Sequence, residues 1–288
     1  MAESGKIKSV SVPEEVSGSL SDILPVMVLY KCRCTEAAAY RTLIRTGGFR
    51  EFVVYDNSPY SYRENGSDLP SGAVYVRDGN NGGLSKAYNH AAAYAREKGY
   101  SRLLLLDQDT VFDKDAAGIY AVADRSVSLW APCMTTVKGS PFSPVYIRGL
   151  RYKPVVLSPG RYSLKDYYVV NSGMCVSMEA FFQAGGYNGA VLLDFADFQF
   201  LSRLRKQSPD FELLPVRALQ DFSNDETDSR VLLARYRLYL ESARHCEWSL
   251  FSERLRHSTD VFLHTLSLFL RTRCPEFFSL WIKKYVFK

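Results

Sequence analysis

No stretch of this chain approaches the roughly 18 consecutive apolar residues that a membrane-spanning helix requires, and its opening MAESGKIKSV lacks the apolar segment of a secretory signal. Neither a GxGxxG dinucleotide fingerprint nor a GxxxxGKS/T phosphate loop occurs. Six cysteines are scattered; only Cys32 and Cys34 lie close, and a lone CxC without a second Cys or His cluster does not specify a zinc site. Free thiols in the cytoplasm are the expectation. Internal repeats and low-complexity tracts are missing too. The excess of one charge sign is small, 36 Lys and Arg against 31 Asp and Glu, too mild to call for a nucleic-acid partner and suited to an anionic ligand or surface.

What is present is ordinary globular material. Hydrophobic residues at 47% and charged residues at 23% fit a packed domain, and 288 residues suffice for one large α/β domain with an appendage. Aromatic residues make up 14%, enough to serve both a core and the kind of site where an apolar face and a polar tip are both useful. Residues 1–22 are polar and aperiodic and are expected to be a mobile lead-in. An α/β domain is expected over residues 23–225 and a helical region over residues 226–288.

The organising stretch is RLLLLDQDT, Arg102 to Thr110. Four consecutive leucines read as a central parallel strand covered by helices on both faces. Asp107 and Asp109 follow where the carboxyl ends of strands face a ligand crevice. One residue apart, both can reach a single hard cation or a bound sugar through oxygen ligands; alternatively they end a strand and cap a turn.

Around it the pattern is that of an α/β sheet. PVMVLY is a first strand, TEAAAYRTLIRTGG a helix capped by Thr35, EFVVYDNS a second strand and AVYVRDGNN a third. Asn80 to Tyr100 forms an amphipathic helix whose first turn carries Ser85, Lys86 and Asn89 beside free backbone N–H groups, a candidate anion site; Gly82 and Gly83 as plain turn residues is the alternative. The prolines between Lys138 and Asp166 suit a β-rich insertion. In DFADFQFLSRLRK, Phe195, Phe198, Leu201 and Leu204 form a helical stripe, and Asp194 and Asp197 fall one turn apart on one face, where the helix dipole favours their ionised forms. FELLPVRALQDFS gives a last strand ending at Asp221, and Asp228 to Arg256 reads as one long basic helix. The final segment sets Phe277, Phe278 and Trp281 among basic residues, which fits either peripheral contact with an anionic membrane surface or a helix packed on the domain.

Two enzyme families use letters like these. DQDTVF resembles the DxDxT/V motif of haloacid-dehalogenase-like phosphotransferases, which implies Asp107 as phosphoryl nucleophile; in that family the motif usually opens the sheet, whereas here three strands precede it and no DD or GDxxxD follows. The series VMVLY, VVYDNS, NNGGLSKAYNHA, LLLLDQDT, NSGMCVSMEAFFQAGGYN and DFADFQFLSRLRK resembles a family 2 glycosyltransferase of the GT-A fold, nearest its rhamnosyltransferase-like branch. That resemblance implies a mostly parallel, Rossmann-like sheet with helices on both faces plus a C-terminal helical extension. It implies Tyr30 and Asp56 near the nucleoside, Gly83 and Asn89 near the donor, and Asp107 and Asp109 as acids holding ribose, sugar and Mg2+ or Mn2+. Lys86 toward phosphate is an inference from its position. Asp197 takes the place of the catalytic base, with Ala196 where the family commonly has Glu, and Asp194 matches an additional acid of the branch. Members often carry a metal-binding His after the last strand; Asp221 stands there instead, as an oxygen ligand. The implied activity is inverting transfer from a nucleotide-diphosphate sugar, dTDP-rhamnose or a UDP-hexose, to a glycan or lipid-linked acceptor in surface polysaccharide synthesis. A catalytically inactive nucleotide-sugar-binding domain is the further alternative, against which the joint presence of Asp107, Asp109 and Asp197 argues.

Overall fold

The leucines of RLLLLD alternate between two cores. In the computed structural model, which describes residues 19–62, 69–220 and 228–287, Leu103 and Leu105 point into one hydrophobic cluster and Leu104 and Leu106 into the other. A strand covered on both faces can be apolar at every position, which is why the run shows no polar alternation.

The strands are β1 (Ile23–Leu29), β2 (Phe52–Asp56), β3 (Ala73–Arg77), β4 (Arg102–Asp107), β5 (Val111–Phe112), β6 (Leu129–Thr136), β7 (Pro141–Ser143), β8 (Val145–Arg148), β9 (Arg151–Pro154), β10 (Gly160–Ser163), β11 (Tyr167–Tyr168), β12 (Cys175–Ser177) and β13 (Asp210–Gln220). The helices are α1 (Arg45–Gly47), α2 (Gly83–Lys98), α3 (Ala116–Val122), α4 (Met178–Gln183), α5 (Ala196–Leu204), α6 (Ser229–Arg244), α7 (Phe251–Thr272) and α8 (Glu276–Trp281). The main sheet runs in the order β10-β13-β6-β12-β4-β1-β2-β3. β3, β2, β1 and β4 are mutually parallel, β13 is parallel to β6, and β12 enters antiparallel between β4 and β6. Residues of α2, α4 and α5 pack on one face and those of α3 and the segment from Cys34 to Ile44 on the other. This is the mostly parallel α/β sheet with C-terminal helices expected from the sequence. The proline-rich stretch forms short strands, with β8 between β9 and β11 in a separate antiparallel sheet.

Two expectations change. The first helix is irregular: a 3-10 turn over Cys34–Glu36 and a π-helical turn over Tyr40–Ile44 precede α1, which ends at Gly48 with φ of 77°. The long helix expected from Asp228 to Arg256 is two helices, α6 and α7. The intervening backbone is held by side chains of the α/β domain: Asn188 donates to the His245 carbonyl at 3.1 Å and Gln199 to that of Glu247 at 3.2 Å. Tertiary hydrogen bonds here override a sequence compatible with a continuous helix.

The C-terminal aromatic residues pack inward. Phe277 is fully buried, its ring 5.3 Å from Tyr236, and Trp281 and Phe278 meet Phe262 and Phe269. The exposed apolar side chains at this end are Ile282, Val286 and Phe287. Among the described residues no helix is long and apolar enough to cross a membrane.

Arg102, at the start of β4, is 2% exposed. It is held by Asp22 at 3.0 Å and by the Tyr120 carbonyl at 2.7 Å, and Arg125 joins Asp22 from the other side at 2.8 Å. Asp22 lies within the expected lead-in, in a 3-10 turn over Leu20–Asp22. Although burial raises its pKa, hydrogen bonds from Arg102, Arg125 and Ser101 hold the carboxyl well below the usual carboxylate range. Replacing Asp22 by Ala leaves a buried guanidinium short of its counter-ion. Because Asp22 itself is part exposed, the expected loss is toward the low end of the roughly 3–5 kcal/mol typical of broken buried pairs, read from urea unfolding at pH 7.

Candidate active site

At the carboxyl ends of β1, β2, β4 and β13 lies a cleft of about 540 Å³, with Tyr30, Asn57, Gly83, Asp107, Asp109 and Gln220 among its lining residues. Asp107 is half-buried and Asp109 exposed. The Gln220 amide donates to both, at 3.4 Å to Asp107 Oδ2 and 3.1 Å to Asp109 Oδ1. Its own carbonyl accepts from Thr110 at 3.2 Å, and the Thr110 hydroxyl shares a 2.6 Å bond with Ser172, so the amide's orientation is set. Burial, and then the charge of Asp109, push the Asp107 carboxyl up to about 6 despite the hydrogen bonds from Gln220 and Tyr88. The two acids thus face the cleft as a like-charge pair.

Tyr30 borders the cleft, and its backbone is tied to Gln108: the Tyr30 N–H donates to Gln108 Oε1 at 2.8 Å and the Gln108 amide returns a bond to the Tyr30 carbonyl at 3.3 Å. Asp56 is fully buried; its carboxylate accepts from the Ser58 N–H at 2.9 Å and the Tyr75 hydroxyl at 2.8 Å. The neighbour Asn57 lines the cleft instead, and its buried Oδ1 accepts no hydrogen bond among the described residues. A buried acceptor facing a cavity is one that a ligand's donor group can satisfy.

The start of α2 is not the open anion cradle that its sequence suggested. The Leu84 N–H donates to the Leu192 carbonyl at 2.7 Å, and the fully buried Ser85 hydroxyl bonds the Val191 carbonyl. Lys86 is paired with Asp78 at 2.7 Å, and that ammonium, assisted by the Tyr55 hydroxyl, holds the Asp78 carboxyl below its ordinary range. Asn89 clamps the Tyr187 backbone with two 2.8 Å bonds, accepting from its N–H and donating to its carbonyl. Gly83 has φ of 83°, and a Cβ there would lie 2.2 Å from the Leu192 carbonyl oxygen. Gly83, Ser85 and Asn89 therefore dock the segment from Tyr187 to Leu192 onto the helix.

That segment leads into the second pair of acids. Asp194 and Asp197 do not share a helical face, because α5 begins at Ala196 and Phe195 takes the left-handed conformation at φ of 68°. A bulky residue there is strained. It is retained by ring packing on His257 at 4.5 Å and on Tyr239 at 5.1 Å. The helix dipole does not decide the ionisation. Burial pushes the Asp197 carboxyl up to about 7, with the charges of Asp194 and Asp107 adding to it and a hydrogen bond from the Phe198 N–H opposing it. Burial also raises Asp194, against the pull of Arg235. Asp107, Asp194 and Asp197 thus form one electrostatically coupled set with Asp197 poised near neutrality.

Among the described residues no group of three or more His, Cys, Asp or Glu side chains converges on a metal position. Asp107 and Asp109 supply two hard oxygen donors whose mutual repulsion a divalent cation would relieve, and such ions commonly bind through one or two carboxylates together with substrate phosphates. Asp221 lies outside the described residues. Residues that the sequence did not single out are Asn57, Tyr88, Ser172, Gln220 and Arg235. The cue nearest to hand was that Gln220 precedes the chosen Asp221.

Residues 26–126 match the family model for glycosyl transferase family 2. The matched segment is about a third of the chain and contains the strand that leads into Asp107 and Asp109. It is 24% identical over 197 residues to the dTDP-rhamnosyl transferase RfbF of Shigella flexneri, covering 64% of this chain and 63% of that protein, a distant relationship that spans less than two thirds of the relative. In fold it is similar to residues 1–349 of S. aureus TarS, with a TM-score of 0.55 and 12% identity over 91% of this chain and 78% of that one. TarS in complex with UDP-GlcNAc aligns with a TM-score of 0.51 and 13% identity, covering 91% and 73% of the two chains. GalNAc-T7 with UDP, GalNAc and Mn2+ aligns with a TM-score of 0.52 and 13% identity, covering 87% and 57%. The family match includes Asp107 and Asp109, so DQDT belongs to a glycosyltransferase sheet and the phosphotransferase reading is set aside.

Two stability measurements test this geometry. Gly83→Ala should cost more than about 1 kcal/mol in urea unfolding, since it adds both left-handed strain and a backbone clash. For Asp197, a folded pKa of about 7 against an ordinary 3.8 means that the acid's contribution to stability is intact below 3.8 and lost as pH rises through 7. Asp197→Asn should therefore raise the melting temperature in EDTA, by more at pH 8 than at pH 5; an equal shift at both would contradict the elevated pKa.

Proposed function

We propose that the protein is an inverting, divalent-metal-dependent glycosyltransferase that moves a sugar from dTDP-rhamnose or a UDP-hexose to a glycan or lipid-linked glycan acceptor. The observation carrying this reading is the pair of cleft carboxylates, Asp107 and Asp109, bridged by the Gln220 amide, with Asp197, raised to about 7, electrostatically coupled to Asp107. A general base works best with a pKa near the operating pH, and here burial supplies it. The printed ligands of the fold relatives, UDP-GlcNAc for TarS and UDP, GalNAc and Mn2+ for GalNAc-T7, and the dTDP-rhamnosyl activity of the distant relative support a nucleotide-sugar donor.

In this reading the nucleoside enters the cleft past Tyr30 and Asn57, with Asp56 fixing the Ser58 turn and Tyr75 behind them. Asp107 and Asp109, oriented by Gln220, would hold Mg2+ or Mn2+, with Asp221 as a further oxygen donor. A divalent cation there supplies Lewis-acid stabilisation of the departing diphosphate. Asp197 takes the proton from the acceptor hydroxyl, whose oxygen attacks the anomeric carbon on the face opposite the diphosphate and inverts it. Asp194 keeps Asp197 basic through its charge. Gly83 and Asn89 act on the donor through the loop they position, and Lys86 acts through Asp78. The division of labour follows the chain: residues 23–225 bind the donor and residues 226–288 serve the acceptor. The compartment is the cytoplasm and the product a surface polysaccharide, with Ile282, Val286, Phe287 and the neighbouring lysines available for peripheral contact with the membrane's inner face.

Asp197→Asn should lower turnover roughly 10²-fold to 10⁴-fold, the usual range for a general base, with donor affinity unchanged. The parent rate should rise with pH to a plateau above about 7. Full activity in that variant would sink the assignment of the base. Asp109→Asn should abolish the dependence of UDP or dTDP affinity on Mn2+, measured by calorimetry with and without the ion. A parent that binds nucleotide yet never turns over would instead be the binding-only relative.

A further inference from the structure

A second cavity, of about 490 Å³, lies between α6 and α7 on the far side of the segment that carries the acids. Leu192 and Leu193 face the donor cleft, whereas Asp194 faces this second cavity. Arg235 lines both. The wall between the two spaces is thus the chain leading to Asp197. Attack opposite the leaving group requires the acceptor to approach from a side the donor does not occupy; Asp197 itself lines neither space, but Asp194, whose charge acts on it, lines the second.

Among the described residues, Arg235, Arg271 and His264 line it together with one acid, Asp194. Arg235 makes no salt bridge or side-chain hydrogen bond among the described residues, although its field reaches both Asp194 and His264. The His264 ring lies 4.5 Å from that of Tyr239. Desolvation, with the charges of Arg235 and Arg271 adding to it, lowers its pKa to about 4, so the imidazole is a neutral hydrogen-bonding group near pH 7. Tyr239, Tyr236 and Leu232 give the cavity an apolar side on which a sugar face can rest. Two guanidiniums, a neutral imidazole and the Ser267 hydroxyl around a space of ligand size are the groups that bind phosphate oxygens.

We propose that the cavity between α6 and α7 is the acceptor site and that it selects acceptor glycans carrying a phosphate or diphosphate group, held by Arg235 and Arg271. This rests on the transferase reading above. The phosphate could belong to a lipid carrier or to a soluble phosphoglycan; the chemistry at the cavity is the same.

The test is calorimetry on the full chain with Mn2+ and whichever of UDP and dTDP the parent binds saturating, so that the donor cleft is filled, titrating glucose 1-phosphate and, separately, methyl glucoside. Glucose 1-phosphate should bind at least tenfold more tightly than methyl glucoside. Arg271→Glu and Ser267→Tyr should each weaken it tenfold or more while affinity for that nucleotide stays within twofold. Ser267 is exposed on α7, so its variant fills the cavity without disturbing the core and decides the matter if Arg271→Glu fails to fold. Farnesyl diphosphate in place of the sugar phosphate distinguishes the sources: tenfold tighter binding assigns the phosphate to a lipid carrier, equal or weaker binding to a soluble glycan. Equal affinity for phosphorylated and neutral sugars, or phosphate binding untouched by a folded cavity variant, overturns the proposal. Absence of both UDP and dTDP binding in the parent overturns the transferase reading and this site with it, whereas intact nucleotide binding with indifferent cavity variants overturns the acceptor site alone.

Discussion

The carbonyl of Leu192 reaches the first turn of α2 through space that exists only because residue 83 is glycine. With the Asn89 clamp on Tyr187, that contact fixes the path of residues 187–192, and so fixes where Asp194 and Asp197 stand relative to the strand-end acids of β4. No long-range attraction brings these carboxylates together, since like charges repel. They are held by backbone hydrogen bonds, by the ring packing that stabilises Phe195 in its left-handed conformation, and by the stack of Tyr187 on Phe200 with centroids 4.4 Å apart. A rigid frame imposes the repulsion.

That repulsion has chemical value because burial amplifies it. An isolated surface carboxylate is about half ionised near pH 4, fully ionised at neutrality and a poor base there. In this protein burial, as the leading cause, pushes Asp107 in the cleft up to about 6 and Asp197 up to about 7. The folded state therefore tolerates charges that weaken it, a trade between stability and activity common where catalytic groups are desolvated. Gln220 moderates the conflict: its amide donates to both members of the DxD pair without adding charge, so the pair stays available to a cation.

Much of this was legible in the sequence, and the gaps have identifiable causes. The central strand was visible because a strand buried on both faces needs apolar side chains at every position, and the DxD acids because they follow it directly. The helix of residues 83–98 was recognised, but its polar first turn looked like a ligand site when it is occupied by the protein's own backbone; nothing local distinguishes the two. Asp194 and Asp197 were found but misplaced on one face, since a periodicity argument assumes helical dihedrals and Phe195 departs from them. Gln220 meets the acids across 111 and 113 residues of chain, and such contacts leave no local pattern. Asn57 was passed over for Asp56 because charge drew attention, while the wall of the cleft is formed by its neighbour.

The proposed division between donor and acceptor rests on the same frame. The sheet can present only its strand ends, and those are taken by the cleft with Asp107 and Asp109. In the proposed reading a second substrate is received by elements added beyond β13, and α6 and α7 are tied to the wall between the two spaces by Asn188, Gln199 and the Ser242 hydroxyl, which accepts from the Leu193 N–H at 3.2 Å. The break between α6 and α7, the feature least visible in the sequence, is made by those same bonds. The bonds that interrupt the helix thus also tie α6, which carries Arg235, to the wall between the two spaces.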